Sequence, residues 1–415
     1  MTSSRSNPET VALDAVCLSE RELWVEGPPH ALFRRLRREC PVHWTAGFSE
    51  IPSETGYWSV TRADDVHAVS RDWQTYSSEL GGITTATEGF PLELLRAMFI
   101  GMDPPRHDRL KMLFQAGFTP RRIAAHEPRI RQIVATVLDR LNGRDRADLV
   151  TDVAQPIVSR VIGSFMGIPP EDDAAWATLM NATLGADDPD LNPGGIESVA
   201  EVEIPKIFER CRKMIAQRRE HPTDDLTSVL VHAEIDGQKL REEEIVMGFF
   251  LLVAAGNDST KATYCSGMRA LMEHPDQMQR VVADPSLVPS LVEESLRMFP
   301  AFSHFRRTAT RDTEIGGQKI ARGDKVVMWY VSSNRDESRY QDPDRFDVLR
   351  NPEHQAFGAG GRHFCLGAAL ARLELRLMFE ETLARYPRIE LAGEPVYVES
   401  DFINQLKTLP VRLTG

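Results

Sequence analysis

The spacing of apolar residues is helical along most of the chain. The longest predicted helix covers residues 241–273, which open with acidic side chains and end just before Pro275. Both features are signals of helix ends. Apolar side chains cover nearly every face of its first half, as in helices that are buried on all sides. We therefore expect this helix to cross the core.

A second helical pattern lies near the C-terminus. Apolar residues recur at Leu366, Leu370, Leu373 and Leu377, which is the spacing of one face of an α-helix. The pattern predicts an amphipathic helix that continues to Tyr386.

Strand signals are fewer and shorter. Residues 314–320 predict a hairpin that turns on two consecutive glycines, which tight hairpins favour. Residues 77–101 and 185–195 are predicted loops, and long loops in a compact domain are often functional. The chain is therefore predicted to be mainly α, with a large helical part and a small β-rich part. The other predicted strands are residues 42–44, 56–61 and 325–331.

Length and composition narrow the class of protein. The 415 residues show no internal repeat or interdomain linker, so we expect a single domain over residues 1–415, with residues 1–27 as an N-terminal extension. A net charge of −12 argues against a nucleic-acid partner. The five cysteines are scattered, which suits a reducing compartment. The longest apolar run, residues 245–256, is shorter than the roughly 20 residues that a membrane span requires. A soluble cytoplasmic protein is expected.

The most informative segment is residues 357–367, a glycine-rich loop that brings Cys365 to the start of the C-terminal helix. The dipole and unpaired amides of a helix N-terminus favour a thiolate, and a lone thiolate suits an axial haem ligand. Three other interpretations stay open at this point. Cys365 could be an inert buried residue, the glycines could cradle a phosphate, or Cys365 and His363 could belong to a zinc site.

This segment resembles the cysteine loop of the cytochrome P450 family of haem-thiolate monooxygenases, whose pattern is Phe, two residues, Gly, three residues, Cys, one residue, Gly. Gly361 and His363 occupy the glycine and basic positions of that pattern. Phe357 lies one residue farther upstream than usual. The resemblance extends over roughly residues 28–413. It implies the P450 fold, with haem b between two long helices and Cys365 as the ligand of its iron.

A polar run, residues 255–260, interrupts the long helix. Glycine costs up to about 1 kcal/mol inside a helix, so the run predicts either an exposed kink or a buried polar site. The resemblance implies an acid–alcohol pair for proton delivery here, with Asp258 as the acid, Ser259 as the alcohol and Thr260 as a substitute donor. Most members of the family have threonine in place of Ser259. We expect serine to retain proton delivery while more peroxide is released.

The resemblance also implies cationic partners for the two haem propionates. His107 and Lys111 follow the Asp-Pro-Pro segment at residues 103–105, Arg307 precedes the predicted hairpin, and His363 lies two residues before the cysteine. The family usually has arginine in place of Lys111, and lysine offers a point charge instead of a bidentate fork.

Residues 294–297 read Glu-Ser-Leu-Arg, and residues 343–346 read Pro-Asp-Arg-Phe. Alone, the first motif is typical of a surface ion pair. Together, the two motifs resemble the buried Glu–Arg–Arg triad of the family. The resemblance therefore assigns Glu294, Arg297 and Arg345 a structural role beneath the cysteine loop.

Several arginines predict a basic face that would receive an acidic electron donor, although solvated helix faces explain them equally well. The chain has no flavin or nicotinamide segment, so the resemblance implies a separate ferredoxin and ferredoxin reductase. The arginines are Arg106, Arg109, Arg121, Arg122, Arg362, Arg372 and Arg376.

The resemblance places the substrate pocket near residues 81–99, Met180, residues 299–305 and residues 402–406. The first of these loops is strongly apolar, which favours a hydrophobic substrate such as a lipid, terpenoid or steroid, oxidised with O2. With its inserted residue, the loop before Cys365 is similar to the loop in the branch of the family that oxidises methyl-branched lipids and sterol side chains. Two alternatives are a peroxide-driven haem-thiolate oxygenase and a non-catalytic binder of haem or lipid. The apolar residues of the loop are Phe90, Leu92, Leu94, Leu95, Met98 and Phe99.

Overall fold

The computed structural model describes residues 11–47, 54–86, 92–115, 117–186, 188–235 and 237–414. Phe90, one of the apolar loop residues named above, lies outside these ranges. The helices are α1 His30–Glu39, α2 Ala63–Arg71, α3 Leu92–Leu95, α4 Arg106–Gln115, α5 Pro120–Ala125, α6 Glu127–Asp139, α7 Gln155–Met166, α8 Asp173–Leu184, α9 Gly195–Ser198, α10 Ile204–Glu220, α11 Leu226–His232, α12 Glu242–Glu273, α13 Pro275–Ala283, α14 Val288–Met298, α15 Tyr330–Ser333 and α16 Ala368–Arg385.

The strands are short and form one larger sheet and four small ones. They are β1 Val42–Gly47, β2 Thr55–Val60, β3 Tyr76–Ser77, β4 Arg146–Asp148, β5 Glu234–Ile235, β6 Gln238–Lys239, β7 His304–Ala309, β8 Thr313–Ile315, β9 Gln318–Ile320, β10 Lys325–Trp329, β11 Glu390–Leu391, β12 Val396–Tyr397, β13 Leu406–Thr408 and β14 Pro410–Arg412.

The long helix α12 confirms the first prediction. It runs for 32 residues from Arg241 as its N-cap, and the Glu244 side chain accepts a hydrogen bond from the Arg241 amide. Three glutamates in its first turn complement the positive end of the helix dipole. Helices α7, α8, α10, α14 and α16 all contact α12. The helix therefore crosses the core, as its apolar first half predicted.

Helix α16 confirms the second predicted helix but differs in its surroundings. The predicted stripe of Leu370, Leu373 and Leu377 is buried. Leu375 and Phe379, on other faces, are also fully buried, because α6, α12 and α14 all pack around α16. The helix is therefore a core helix, not an amphipathic surface helix.

The five-stranded sheet has the order β1-β2-β10-β7-β3. Strands β2 and β10 are parallel and the other neighbours are antiparallel. The predicted hairpin is strands β8 and β9, and it turns on Gly316 and Gly317 with φ of 55° and 83°. Glycine adopts such left-handed angles without strain.

One strand prediction was wrong at its end. Residues 325–331 were predicted as a strand, but β10 ends at Trp329, and Tyr330 begins the helical turn α15. The amides of Tyr330 and Val331 both donate to the Ser303 carbonyl, which turns the chain out of the sheet. Both side chains stay buried, so their apolar character did not distinguish a strand from a turn.

The described part of the predicted N-terminal extension packs against the domain. Trp24 is buried, and its ring lies 5.7 Å from that of Trp329 and 6.2 Å from that of Phe33, centroid to centroid. Val16 and Leu18 belong to the same buried cluster.

Candidate active site

The cysteine loop closes through a backbone hydrogen bond. The Cys365 amide donates to the Phe357 carbonyl at 2.9 Å, so the loop returns to its start despite the inserted residue. Gly358, Gly360 and Gly361 all have positive φ, the region that glycine populates readily. A Cβ on Gly361 would also lie 2.7 Å from the Ser70 carbonyl oxygen. The glycines of this motif are therefore required by the backbone path and by its contact with α2.

Cys365 lies at the N-terminal end of α16, and its side chain is exposed to a cavity of about 700 Å³. Burial within the protein raises the pKa of the Cys365 thiol, although the amides of Gly367 and Ala368 and the charge of Lys111 act in the opposite direction. The sequence had predicted a thiolate from the helix terminus alone. Enclosure of the cysteine loop by the protein therefore acts against the helix terminus in setting the pKa of this thiol. The cavity wall includes His107, Lys111, Phe118, Phe364 and Leu366.

The two predicted histidines lie beside each other. The ring centroids of His107 and His363 are 4.3 Å apart. His107 Nδ1 bonds to Asp108 Oδ1 at 2.9 Å, whereas buried His107 Nε2 has no hydrogen-bond partner among the described residues. Burial lowers the pKa of both histidines, and Arg307 and Lys111 lower that of His363 further. Both rings are therefore neutral at pH 7, and the positive charge of this group comes from Arg307 and Lys111.

Lys111 reaches the cysteine loop directly. Its Nζ donates to the carbonyl oxygens of Arg362 and Phe364, the latter at 2.8 Å. An ammonium group has three N–H donors, so one remains for another acceptor. The sequence assigned Lys111 to a propionate alone, and the structure adds a second task, which is to anchor the loop that carries Cys365.

The polar run in α12 is a buried polar site and not an exposed kink. The helix continues through it, and Asn257, Asp258 and Thr260 are buried. A Cβ on Gly256 would lie 2.8 Å from the Ile162 side chain, so glycine permits the close approach of α7. Ser259 donates its hydroxyl hydrogen to the Ala255 carbonyl at 2.7 Å, a bond within the helix that serine commonly makes.

A buried carboxyl group on α16 was missed in the sequence. Thr260 Oγ1 donates to Glu374 Oε2 at 3.0 Å, and both residues are buried. Burial raises the pKa of Glu374 to about 8, so this carboxyl group is neutral at pH 7. The sequence did offer a signal for it, because Glu374 lies between Leu373 and Leu377 in the predicted apolar stripe. A carboxyl group that is buried in such a stripe is rare unless it has a partner.

Comparisons with known proteins show the family of this chain. A family model described as Cytochrome P450 matches residues 196–396. The methyl-branched lipid omega-hydroxylase of Mycobacterium tuberculosis is 38% identical over 413 residues, which cover 97% of this chain and 96% of that protein. The linalool 8-monooxygenase of Pseudomonas putida is 34% identical and covers 95% of this chain and 98% of its own length.

A solved structure extends the likeness to the fold. Mycobacterium marinum cytochrome P450 CYP268A2, in complex with pseudoionone, superposes with a TM-score of 0.90 at 37% identity, and covers 97% of this chain and 99% of its own. The chain belongs to the cytochrome P450 family. It is a haem-thiolate monooxygenase that uses O2, redox partners and a hydrophobic substrate. The predicted fold is confirmed.

The residues of this P450 fit a haem. A thiol facing a large cavity matches an iron ligand. Lys111 in the cavity wall, with one N–H donor left, and Arg307, whose charge acts on His363, match two carboxylates. The zinc interpretation loses its support, because no group of three His, Cys, Asp or Glu side chains in the described ranges is arranged to hold a metal ion. Nor does any helix in those ranges have the length and apolar character of a bilayer crossing.

The buried triad of the P450 contains a different arginine from the predicted one. Arg297 binds Glu294 through two bonds of 2.7 and 2.8 Å, and both side chains are fully buried. The second arginine on Glu294 is Arg350, at 3.2 Å. Arg345 is exposed and contributes only its carbonyl oxygen, to Arg297 and Arg350. The sequence motif located the correct loop but not the side chain that turns inward.

Three arginines of the predicted basic face of the P450 form ion pairs. Arg362 pairs with Asp108, Arg372 binds Glu293 through two bonds, and Arg376 pairs with Glu127 at 2.7 Å. Arg372 also lies over the Phe357 ring, 4.7 Å from its centroid. These three arginines hold the cysteine loop and α16 to their neighbours, and each guanidinium is paired with a carboxylate. Arg121 and Arg122 border a separate cavity of about 590 Å³.

Three of the four predicted substrate segments meet at β7. His304 Nε2 accepts from the Thr85 amide at 3.2 Å, and His304 Nδ1 donates to the Asp401 carbonyl at 3.1 Å. The rings of Phe302, Phe305 and Phe402 contact one another, with centroids between 5.2 and 5.6 Å apart. The fourth segment does not join them in this way, since Met180 is fully buried in the helical core.

Proposed function

We propose that Cys365 binds the iron of haem b through its sulfur. The exposure of the Cys365 side chain to the cavity at the start of α16 is the observation that carries this proposal. When bound, the haem supplies the activation of dioxygen and the insertion of one oxygen atom into a C–H bond. The positive iron would also offset the raised pKa of the thiol, because a coordinating thiol is deprotonated by its metal.

His107, Lys111, Arg307 and His363 would hold the two propionates. Lys111 has one N–H donor left for a carboxylate oxygen. Because His107 Nδ1 already donates to Asp108, His107 Nε2 could donate to a propionate only from the protonated ring, which the propionate charge beside it would favour. Arg307 Nη1 donates a hydrogen bond to the Arg306 carbonyl at 2.7 Å. This bond fixes the position of the Arg307 guanidinium.

Asp258 and Ser259 would move protons, whereas Thr260 would not. Asp258 Oδ2 is buried with no hydrogen-bond partner among the described residues, so it can accept one. Ser259 would leave the Ala255 carbonyl to act as a donor, whereas Thr260 points to Glu374 and away from the pair. We therefore assign proton delivery to Asp258 and Ser259, and Thr260 to the contact between α12 and α16.

We further propose an acyclic, methyl-branched chain as the substrate. The relatives named for methyl-branched lipid and linalool oxidation share that chemistry, and so does the pseudoionone bound by the structural neighbour. The three touching phenylalanines near β7 offer an aromatic surface for such a chain. Electrons would come from a ferredoxin and its reductase, as the redox partners that the family requires.

The haem proposal is tested with Cys365→Ser. The wild type, reduced and exposed to carbon monoxide, is expected to give the absorption band typical of thiolate-ligated haem, and Cys365→Ser is expected to lose it. Retention of the band in Cys365→Ser contradicts the proposal. The substrate proposal is tested by absorbance titration with methyl-branched fatty acids, acyclic terpenoids and sterols. A response to sterols alone contradicts the acyclic assignment.

A further inference from the structure

Lys261 is a buried lysine that none of the predicted roles includes. It lies one turn after Asp258 on α12, and only 3% of its surface is exposed. A buried ammonium group is costly unless it is paired and hydrogen-bonded. The surroundings of its Nζ therefore carry information about what it does.

The ammonium group has three acceptors for its three N–H donors. Nζ donates to Asp258 Oδ1, to Gln155 Oε1 at 2.7 Å and to Asn181 Oδ1 at 2.7 Å. Gln155 begins α7 and Asn181 lies in α8. Lys261 thus holds the acid of its own helix and connects it to two neighbouring helices.

The same network fixes the residue before the acid. Asn257 Oδ1 accepts from Ser159 Oγ at 2.9 Å and from Gln155 Nε2 at 3.3 Å. Asn181 Nδ2 donates to Gln155 Oε1 at 3.1 Å. Asn257 Nδ2 in turn lies 3.4 Å from Asp258 Oδ1. The two groups that reach Asp258 Oδ1 both lie on α12, and side chains of α7 and α8 hold them in place.

The other carboxylate oxygen is left available. Asp258 Oδ2 is buried and has no hydrogen-bond partner among the described residues. With Oδ1 held by Lys261 and Asn257, the carboxylate cannot rotate without breaking a buried ion pair. The arrangement orients one oxygen for proton exchange and uses the other as an anchor.

We infer that Lys261 is a positioning residue for proton delivery, acting through Asp258 and held in place by Gln155 and Asn181. This inference rests on the role of Asp258 proposed above. Proton transfer requires its donor and acceptor in hydrogen-bond reach, and a displacement of about 1 Å costs on the order of 100-fold in rate. Loss of the Lys261 anchor should therefore reduce coupled turnover without changing the substrate site.

The test compares Lys261→Met, Asp258→Asn and the double variant in the haem-loaded enzyme with its redox partners. Lys261→Met is expected to lower product formation roughly 10- to 100-fold, to release more peroxide per electron pair, and to leave the spectral Kd for substrate unchanged. The double variant should match Asp258→Asn, because Lys261 acts only through that carboxylate. Lys213→Met is the control, since Lys213 forms an exposed same-helix ion pair with Glu209.

Protein prepared without haem gives an independent readout. Lys261→Met should lower the melting temperature by several degrees, because it leaves a buried carboxylate without its cation, and the double variant should recover part of that loss. The double variant therefore decides the comparison if Lys261→Met does not fold. If Lys261→Met gives wild-type product and peroxide yields while Asp258→Asn is defective, the inference about Lys261 is overturned and the proposed role of Asp258 stands. Wild-type yields in Asp258→Asn would instead overturn the proposed role of Asp258.

Discussion

Thr260 and Glu374 are joined by a hydrogen bond of 3.0 Å that links the long helix α12 to the helix that follows the cysteine loop. The threonine hydroxyl donates and the carboxyl group accepts. The two residues lie 114 positions apart in the chain. Because Glu374 is buried, the bond fixes the distance between these two helices at this point.

Glu374→Gln should change how stability depends on pH. Burial raises the pKa of Glu374 to about 8. At any pH between the ordinary pKa of glutamate and about 8, the unfolded chain therefore loses a proton from this residue that the folded chain keeps. Stability then falls as pH rises through that range. The neutral amide removes this loss, and Glu374→Gln should gain up to about 3 kcal/mol relative to wild type between pH 5 and pH 7.

Denaturant unfolding at the two pH values measures this difference. Glu374→Ala is the matched control, because it removes the carboxyl group but leaves a cavity and an unpartnered Thr260 hydroxyl. An identical pH dependence in wild type and Glu374→Gln would contradict a neutral carboxyl group at this position.

His304 should act in the opposite direction. Burial lowers the pKa of His304 to about 3. At a pH below the ordinary pKa of histidine, the unfolded chain therefore binds a proton at this residue and the folded chain does not. Stability is therefore lost as pH falls from about 6.5 toward 3. His304→Gln, which retains an acceptor for Thr85 and a donor for Asp401, should lose about 2 kcal/mol less than wild type between pH 7 and pH 5. Chemical denaturation at both pH values tests this, and equal losses would refute it.

Arg350→Met and Arg345→Met distinguish the observed triad from the predicted one. Arg350 binds the fully buried Glu294, whereas Arg345 is exposed. We expect Arg350→Met to lower the free energy of unfolding by about 1–3 kcal/mol, since Arg297 still partly compensates Glu294. Arg345→Met should stay within about 0.5 kcal/mol of wild type. A larger loss in Arg345→Met than in Arg350→Met would support the sequence prediction over the structure.

Asp188 should control the loop between α8 and α9. It is fully buried, accepts from the Glu399 amide at 2.9 Å and pairs with Lys407 at 3.0 Å. These bonds tie the loop to the segment just after β12 and to β13. Asp188→Ala should cost about 1–3 kcal/mol and should speed proteolytic cleavage within residues 185–195. Asp190→Ala is the control, because Asp190 pairs with the same lysine but is largely exposed. Equal rates of proteolytic cleavage in the two variants would contradict an attachment of this loop through Asp188.

The sequence by itself determined the parts of this P450 that depend on neighbouring residues. The long helix, the core helix after the cysteine and the glycine hairpin follow from local spacing, because helical and strand periods are properties of a short window. The cysteine loop belongs to the same class, since positive φ at its glycines is a local backbone requirement.

The tertiary structure alone decided which distant side chains meet. Arg350 replaces Arg345 in the triad, Glu374 finds Thr260, and Asp258 is held by a lysine whose other contacts lie on α7 and α8. The direction of the Cys365 pKa shift also belongs here, because burial by the whole domain outweighs the local helix terminus. Burial and long-range pairing depend on how helices pack together, and no window of sequence contains that information.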